Sequence, residues 1–394
     1  MGVRPGEMEK VVISSSFWNG RRVFVTGHTG FKGAWLSLML QRLNAKAAGY
    51  ALDPPTDPSL YELMGAEAFV DDCRGDVCDL ARLSAALDAS EPEIVIHMAA
   101  QPLVGEGYRD PVETYRTNVM GSVTLLEAVR RCPSVRVVVV VTTDKCYENR
   151  EWAWGYREVD RLGGRDPYSN SKACAELVTG AYATSFFAES GVRVVTARAG
   201  NVVGGGDFAA NRILPDAARA ALAGRALRVR NPASVRPWQH VLEPLYGYLL
   251  LAEAAFSKSE ISGAFNFGPG LPGERTVARL LDGFYRDFAQ AKGWEQDGAA
   301  HPHEAKLLRL DTSKAGAALG WAPLLSFDET IAWTAEWYRD FVRGVDTNRL
   351  TFEQVDRYLG LRVRLTSPFD AEFGLGENNL DKENRNAAKL AVGI

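Results

Sequence analysis

Short apolar runs alternate with helical periodicities along roughly the first half of the chain. Val23-Phe24-Val25-Thr26 reads as a strand, followed at helical spacing by Leu36, Met39, Leu40 and Leu43. Ala45 to Ala51 reads as a second strand and Ala68 to Val70 as a third. A helix with Leu80, Leu83 and Leu87 inward precedes a fourth strand, Ile94 to Met98, which ends in Ala99-Ala100-Gln101. Asp110-Pro111 predicts the start of a long helix carrying Val112, Tyr115, Val119, Val123 and Leu126, with Asn118 and Gly121 within it. Arg136 to Val141 is the β-branched run that a strand buried on both faces requires. Val192 to Ala197 supplies a sixth strand and Phe265-Asn266-Phe267 a seventh. The alternation predicts an α/β fold, a Rossmann-type doubly wound parallel sheet of about seven strands.

Beyond Asn201 the pattern turns irregular. Gly204-Gly205-Gly206, Arg212, Arg228, Arg230 and Arg236-Pro237-Trp238-Gln239-His240 predict a smaller, mainly C-terminal α+β unit in which flexible glycines and arginines receive a ligand. Dispersed arginines on solvated faces would give the same pattern. Ser326-x-x-Glu329 has the form of a capping box for a helix with Ile331, Ala335, Tyr338 and Val342 inward, and Thr351-x-x-Gln354 starts another. From Thr366 the chain is polar and aperiodic, which predicts a mobile tail. The expected division is residues 17–200 for the cofactor domain, completed by a strand near 264–268, then 201–350 for the substrate domain and 351–394 for a final helix and tail.

Composition narrows the class. With 394 residues, 46% of them hydrophobic, the chain can bury a large core. Its net charge of -4 carries no basic footprint, so nucleic acid is not an expected partner. Five scattered cysteines without a Cys-x-x-Cys pair fit reduced thiols, and no apolar run is long enough to span a bilayer. A cytoplasmic protein is expected. His301-Pro302-His303 lacks an evident third ligand, and no metal is assigned to it.

Three stretches carry candidate chemistry. Gly27-His28-Thr29-Gly30-Phe31-Lys32-Gly33 lies between strand and helix, where glycines let a pyrophosphate approach the backbone and meet the helix N-terminus. Asp53, closing the second strand, could accept hydrogen bonds from the adenosine ribose of NAD; before two prolines it serves equally as a turn residue. No arginine follows it directly, which favours NAD over NADP. The small Ala99-Ala100-Gln101 and the polar Thr142-Thr143-Asp144-Lys145 fall at strand ends, where open α/β sheets place ligands. His97, inside an apolar run, reads as a core histidine, whereas Asn118 either faces solvent or holds a backbone group near the site.

The third stretch is Asp166-Pro167-Tyr168-Ser169-Asn170-Ser171-Lys172. Asp166 suits an N-cap and Pro167 the first helical position, so Tyr168 and Lys172 lie one turn apart on one face. To act as a base at neutral pH, a phenol of ordinary pKa near 10 requires about 4 kcal/mol of extra stabilisation of its charged form. A neighbouring ammonium and a positively charged cofactor ring would supply it.

Together with Arg236-Pro237-Trp238-Gln239-His240-Val241 and with Thr142 to Asn149, these motifs resemble the extended short-chain dehydrogenase/reductases over roughly Phe17 to Val342, and within them the CDP-glucose branch of the nucleotide-sugar 4,6-dehydratases. The dTDP-glucose branch carries Asp-Glu where this chain has Asp144-Lys145. The resemblance implies a hydro-lyase that uses resident NAD to oxidise C4, eliminate water across C5 and C6, and reduce C6. It implies Tyr168, Lys172, Thr143, Asp144 and Lys145 as catalytic residues, with Tyr168 the C4 base and Asp144 the acid. Lys145 is either the C5 base or a group positioning Asp144, with water or Glu148 then taking the proton.

The cofactor would be held by Gly27, Thr29, Gly30, Phe31, Lys32, Gly33, Asp53, Asp76 and Val77, and by Ala99, Ala100, Gln101, Asn118, Thr142, Tyr168 and Lys172. CDP-glucose or another nucleotide-glucose would meet Asn201, Arg212 and Arg236, and less directly Trp238, His303 and Glu304. A homodimer or higher homo-oligomer is a further expectation of the family. The competing readings are an NAD-dependent 4-epimerase, which needs no acid-base pair beside the tyrosine, and a non-catalytic nucleotide sensor.

Overall fold

The structure is a computed structural model that describes residues 12–270, 274–288, 291–298 and 307–364. Seven parallel strands form its central sheet: β1 (Arg22–Thr26), β2 (Lys46–Ala51), β3 (Val70–Arg74), β4 (Ile94–His97), β5 (Val137–Val141), β6 (Arg193–Ala199) and β11 (Gly263–Phe267). Their order is β11-β6-β5-β4-β1-β2-β3, so the winding reverses between β1 and β4, where such sheets open a ligand crevice. β5, five valines buried on both faces, lies near the middle, as its composition demands.

The remaining strands are short and stand away from this sheet. β7 (Val202–Val203) pairs with β10 (Gln239–His240), β8 (Leu227–Val229) with β13 (Trp294–Gln296), and β9 (Val235–Pro237) with β12 (Glu274–Thr276). They carry the arginine-rich stretch beside the C-terminal edge of the large sheet.

Some expectations are corrected. The third strand begins at Val70, because Ala66–Ala68 closes into a single helical turn first. The stretch from Pro111 is not one regular helix: a π turn at Arg116–Met120 interrupts it. Its inner face is polar, made by Thr114, Asn118 and Ser122, while Val112 is 77% exposed and Tyr115 also faces outward. Of the apolar residues along this stretch Leu126 is buried and Val119 and Val123 are half-buried, and the inner polar side chains are spent on hydrogen bonds. Val342, at the last position of the Phe327–Val342 helix, is also exposed, although Ile331, Ala335 and Tyr338 are buried and the Ser326–Glu329 capping box forms. Gly204 to Gly206 are packed rather than flexible: a Cβ on Gly205 would lie 1.9 Å from Trp337 Cγ. The polar tail from Thr366 lies outside the described residues.

The final described helix, Thr347–Arg364, starts before Thr351 and packs back against the molecule. Arg362 and the Tyr358 hydroxyl both donate to Oε2 of the buried Glu243, at 2.7 and 2.8 Å, while Oε1 accepts from the Leu324 and Leu325 amides. Removing one partner from a buried ion pair leaves the other charge uncompensated. Arg362→Ala is therefore expected to cost about 3 to 5 kcal/mol in urea unfolding, with the loss largely recovered in Arg362→Ala/Glu243→Gln.

Candidate active site

The glycine turn has the geometry of an anion cradle. Gly27 holds φ +75, and a Cβ there would press on the Ala99 backbone at 2.7 Å; a Cβ on Gly33 would lie 2.2 Å from the Gly27 carbonyl oxygen. The helix begun by Phe31 has no side chain capping it, so its first amides are open to a phosphate. Thr29 donates to the Leu52 carbonyl at 3.0 Å and ties the turn to the end of β2. These features fit the diphosphate of a dinucleotide.

Beyond β2, Asp53 is 92% exposed with Arg74 Nη1 at 3.6 Å. The arginine missing from its local sequence thus arrives from β3, where Asp72 engages it at 2.7 Å. His28, fully buried, also meets Asp72 at 2.9 Å, and burial holds its pKa below the ordinary value. Asp76 accepts from the Cys78 amide at 2.8 Å and pairs with Arg116, while Val77 is buried against Gly121.

Asn118 does not face solvent. Its Oδ1 accepts from the Gln101 amide at 2.8 Å, and its Nδ2 donates to the Gln101 carbonyl at 3.1 Å and the Ser171 hydroxyl at 2.9 Å. One side chain thereby fixes the Ala99-Ala100-Gln101 loop against the tyrosine helix. The π turn that carries it is the kind of irregularity often found at functional positions. His97 is a core residue, its Nδ1 2.7 Å from Thr26 Oγ1 and its Nε2 3.3 Å from Ser122 Oγ, and burial brings it down to about 3.

The tyrosine helix, Pro167–Ser185, starts as its residues dictate: Asp166 caps it by accepting from the Ser169 amide at 2.9 Å, with Pro167 first. Tyr168 and Lys172 are both buried on it. Lys172 Nζ reaches the Val141 carbonyl at 3.3 Å, and burial lowers its pKa to about 8. Burial pushes Tyr168 up to about 12, with Asp144 adding to the rise and Thr143 and Arg212 opposing it. The protein's own groups therefore leave Tyr168 a phenol, and a positive nicotinamide ring is the further charge that a phenolate needs.

The turn after β5 brings its acid to the same place. Thr143 caps Asp144–Cys146, its hydroxyl donating to Asp144 Oδ1 at 3.0 Å. Lys145 Nζ stands 3.7 Å from that oxygen with its side chain partly exposed. Asp144 is fully buried and its Oδ2 has no partner among the described residues. A Cβ on Gly200 would sit 3.0 Å from that oxygen, and the adjacent Asn201 also keeps a buried Oδ1 without a partner. Unsatisfied buried acceptors are what a hydroxylated ligand would satisfy. Thr142, by contrast, gives its hydroxyl to Glu176.

Arg212 pairs with Asp207 at 3.0 Å and acts electrostatically on Tyr168 and Lys32. Arg236 is buried on β9, with Nη1 donating to the Val235 carbonyl. Trp238 is 3% exposed and donates its indole N–H to the Arg275 carbonyl at 2.9 Å, so its ring belongs to the packing beneath β9 and β12. His303 and Glu304 lie outside the described residues.

Two participants escape local sequence logic. Tyr248, fully buried on the Leu242–Ser257 helix, accepts from Lys32 Nζ at 3.3 Å, and burial beside Arg212 and Lys172 brings Lys32 down to about 7. Only the tertiary fold joins these two. Glu176, the other, was not singled out in the sequence; its place one turn beyond Lys172 on the same helix was the signal that could have found it.

Residues 23–268 match the NAD dependent epimerase/dehydratase family, and the chain belongs to that family. It is 46% identical over 359 residues, 90% of this chain and 100% of the relative, to the CDP-glucose 4,6-dehydratase of Salmonella typhimurium. It is 27% identical to the dTDP-glucose 4,6-dehydratase of Xanthomonas campestris, over 84% of this chain and 97% of that one. Among solved structures, UDP-glucose 4-epimerase from Thermotoga maritima has the same fold, with a TM-score of 0.70 at 21% identity over 81% of this chain and 99% of that one. A dTDP-glucose 4,6-dehydratase of Bacillus anthracis in complex with NAD gives a TM-score of 0.68 at 22% identity, over 81% and 97%.

The cradle is tested most sharply at Gly30, where a Cβ would meet only the Gly27 carbonyl oxygen, at 3.5 Å. Gly30→Ala is expected to keep the wild-type melting temperature yet raise the Kd for NAD roughly tenfold in calorimetry.

Proposed function

We propose that this protein is an NAD-dependent hydro-lyase that converts CDP-glucose to CDP-4-keto-6-deoxy-glucose. The observation that carries the reading is Asp144, a buried carboxyl group whose Oδ2 has no partner among the described residues, in the electrostatic field of Tyr168. A proton donor beside the hexose base has work to do in elimination and none in a simple epimerisation. The 46% identity to a CDP-glucose 4,6-dehydratase supports the choice of base, which no contact in the site derives.

Bound NAD supplies the acceptor for the C4 hydride and the donor that returns it to C6. The remaining work belongs to side chains. Tyr168 removes the C4 hydroxyl proton while Thr143 orients that hydroxyl and Lys172 stabilises the phenolate. The resulting ketone acidifies C5; Lys145 takes the C5 proton, and Asp144 protonates the departing C6 hydroxyl. Arg212, Arg236 and Asn201 hold the diphosphate within residues 201–350. A phosphate there would also relieve the mutual repulsion of Arg212, Lys32 and Lys172.

A homodimer completes the reading. Val112, Met120 and Leu177 form an exposed apolar face on the helices that carry Asn118 and Tyr168, suited to a second copy of the chain. No described helix is long and apolar enough to cross a membrane, and the proposed location is the cytoplasm.

Mass spectrometry after incubation with a panel of nucleotide-glucoses is expected to find the CDP sugar preferentially converted to a product one water lighter. An isomer of unchanged mass would favour the epimerase reading instead. Tyr168→Phe should abolish turnover while retaining NAD binding, which a nucleotide sensor would not require. Asp144→Asn is expected to slow elimination by roughly 100-fold, and reduced cofactor should then accumulate in single-turnover absorbance.

A further inference from the structure

Lys172 is a buried cation with little direct support. Among the described residues its one hydrogen bond is to the Val141 carbonyl, and the carboxylate acting on it is Glu176, four residues further along the same helix. Glu176 is itself buried and fully engaged. Its Oε1 accepts from the Thr142 hydroxyl, and its Oε2 accepts from Thr196 at 2.7 Å and Arg198 Nη2 at 2.8 Å. Arg198 in turn donates to the Tyr147 hydroxyl at 2.7 Å, which donates to Asn266 Oδ1 at 2.8 Å. This network joins the tyrosine helix to β6, β11 and the turn after β5, and the proposed reaction uses none of Glu176, Thr196, Arg198 or Asn266.

We infer that Glu176 is a positioning residue: clamped by Thr142, Thr196 and Arg198, its carboxylate keeps Lys172 protonated and holds the Thr142-Thr143-Asp144 turn in register with Tyr168. The inference rests on the proposed role of Lys172 as the cation beside Tyr168. Burial lowers the pKa of Lys172 to about 8, and Glu176 is the carboxylate that opposes a further fall. From the neighbouring elements, His97 on β4 is held neutral and Lys32 on the glycine turn is a like charge. Arg198 is committed to Glu176. Replacing Glu176 by glutamine keeps the shape but leaves Arg198 without its counter-charge, so Lys172 would face both burial and a second uncompensated cation.

The sign follows from the chemistry. The useful form of Lys172 is the charged one, which is lost as pH rises through its pKa. Glu176→Gln should therefore move the alkaline limb of the kcat/KM profile about one pH unit lower. Without substrate, the NAD-loaded protein should form the Tyr168 phenolate at higher pH, read as the ultraviolet difference between each protein and its Tyr168→Phe counterpart. Glu176→Asp keeps the charge at greater distance and should shift both readouts in the same directions by less; it serves alone if Glu176→Gln does not fold. Wild-type limbs and phenolate midpoints in the folded variants would overturn the inference, whatever their melting temperatures, since a mere brace would alter stability only. The phenolate titration needs no sugar nucleotide, so its outcome stands apart from any failure of the CDP-glucose reading.

Discussion

One unbroken chain of buried hydrogen bonds aligns the two halves of this site. Thr26, the last residue of β1, accepts from the Met98 and Ala99 amides and meets His97 Nδ1. His97 Nε2 meets Ser122, Ser122 donates to the Asn118 carbonyl, Asn118 donates to Ser171, and Ser171 donates to the Tyr168 carbonyl. The donors assign the tautomer. Ser122 has spent its proton on Asn118, so it accepts from His97 Nε2–H, and His97 Nδ1 must accept from Thr26. A histidine held neutral by burial can keep this arrangement across the pH range of the chemistry, where a charged one would break it.

Electrostatics explain why the site concentrates its cations. Lys32 lies in the field of Lys172 and Arg212, with Asp144 opposing them there, and both lysines have depressed pKa values. Such a cluster is costly in isolation and is suited to ligands bearing diphosphates. Tyr168 is correspondingly left a phenol by the protein and depends on charge that arrives with the cofactor.

Much of this was legible in the residues because the signals were local. The five valines of β5, the glycine turn after β1 and the Asp166-Pro167 helix start each need only their immediate neighbours to dictate conformation. Where contacts came from afar, reading failed. The strand Val70–Arg74 is polar because it closes the edge of the sheet, so its boundary carried no apolar signal. The helix after Asp110 turns polar residues inward because Thr114, Asn118 and Ser122 have partners on other elements. Gly204 to Gly206 looked pliable only until Trp337, far along the chain, was seen lying on Gly205. Arg74 beside Asp53 and Tyr248 beside Lys32 likewise exist only in three dimensions.

The clasp of Arg362 and Tyr358 on Glu243 has a consequence for biosynthesis. Glu243 lies in the first turn of the helix that follows β10, yet its cation is encoded more than a hundred residues later. A nascent polypeptide emerging from the ribosome would carry an acidic group destined for the interior with no counterion until its closing helix was translated. The helix that carries Glu243 lies against β5 and β6 of the central sheet, so the covering of that sheet itself waits for a segment translated much later.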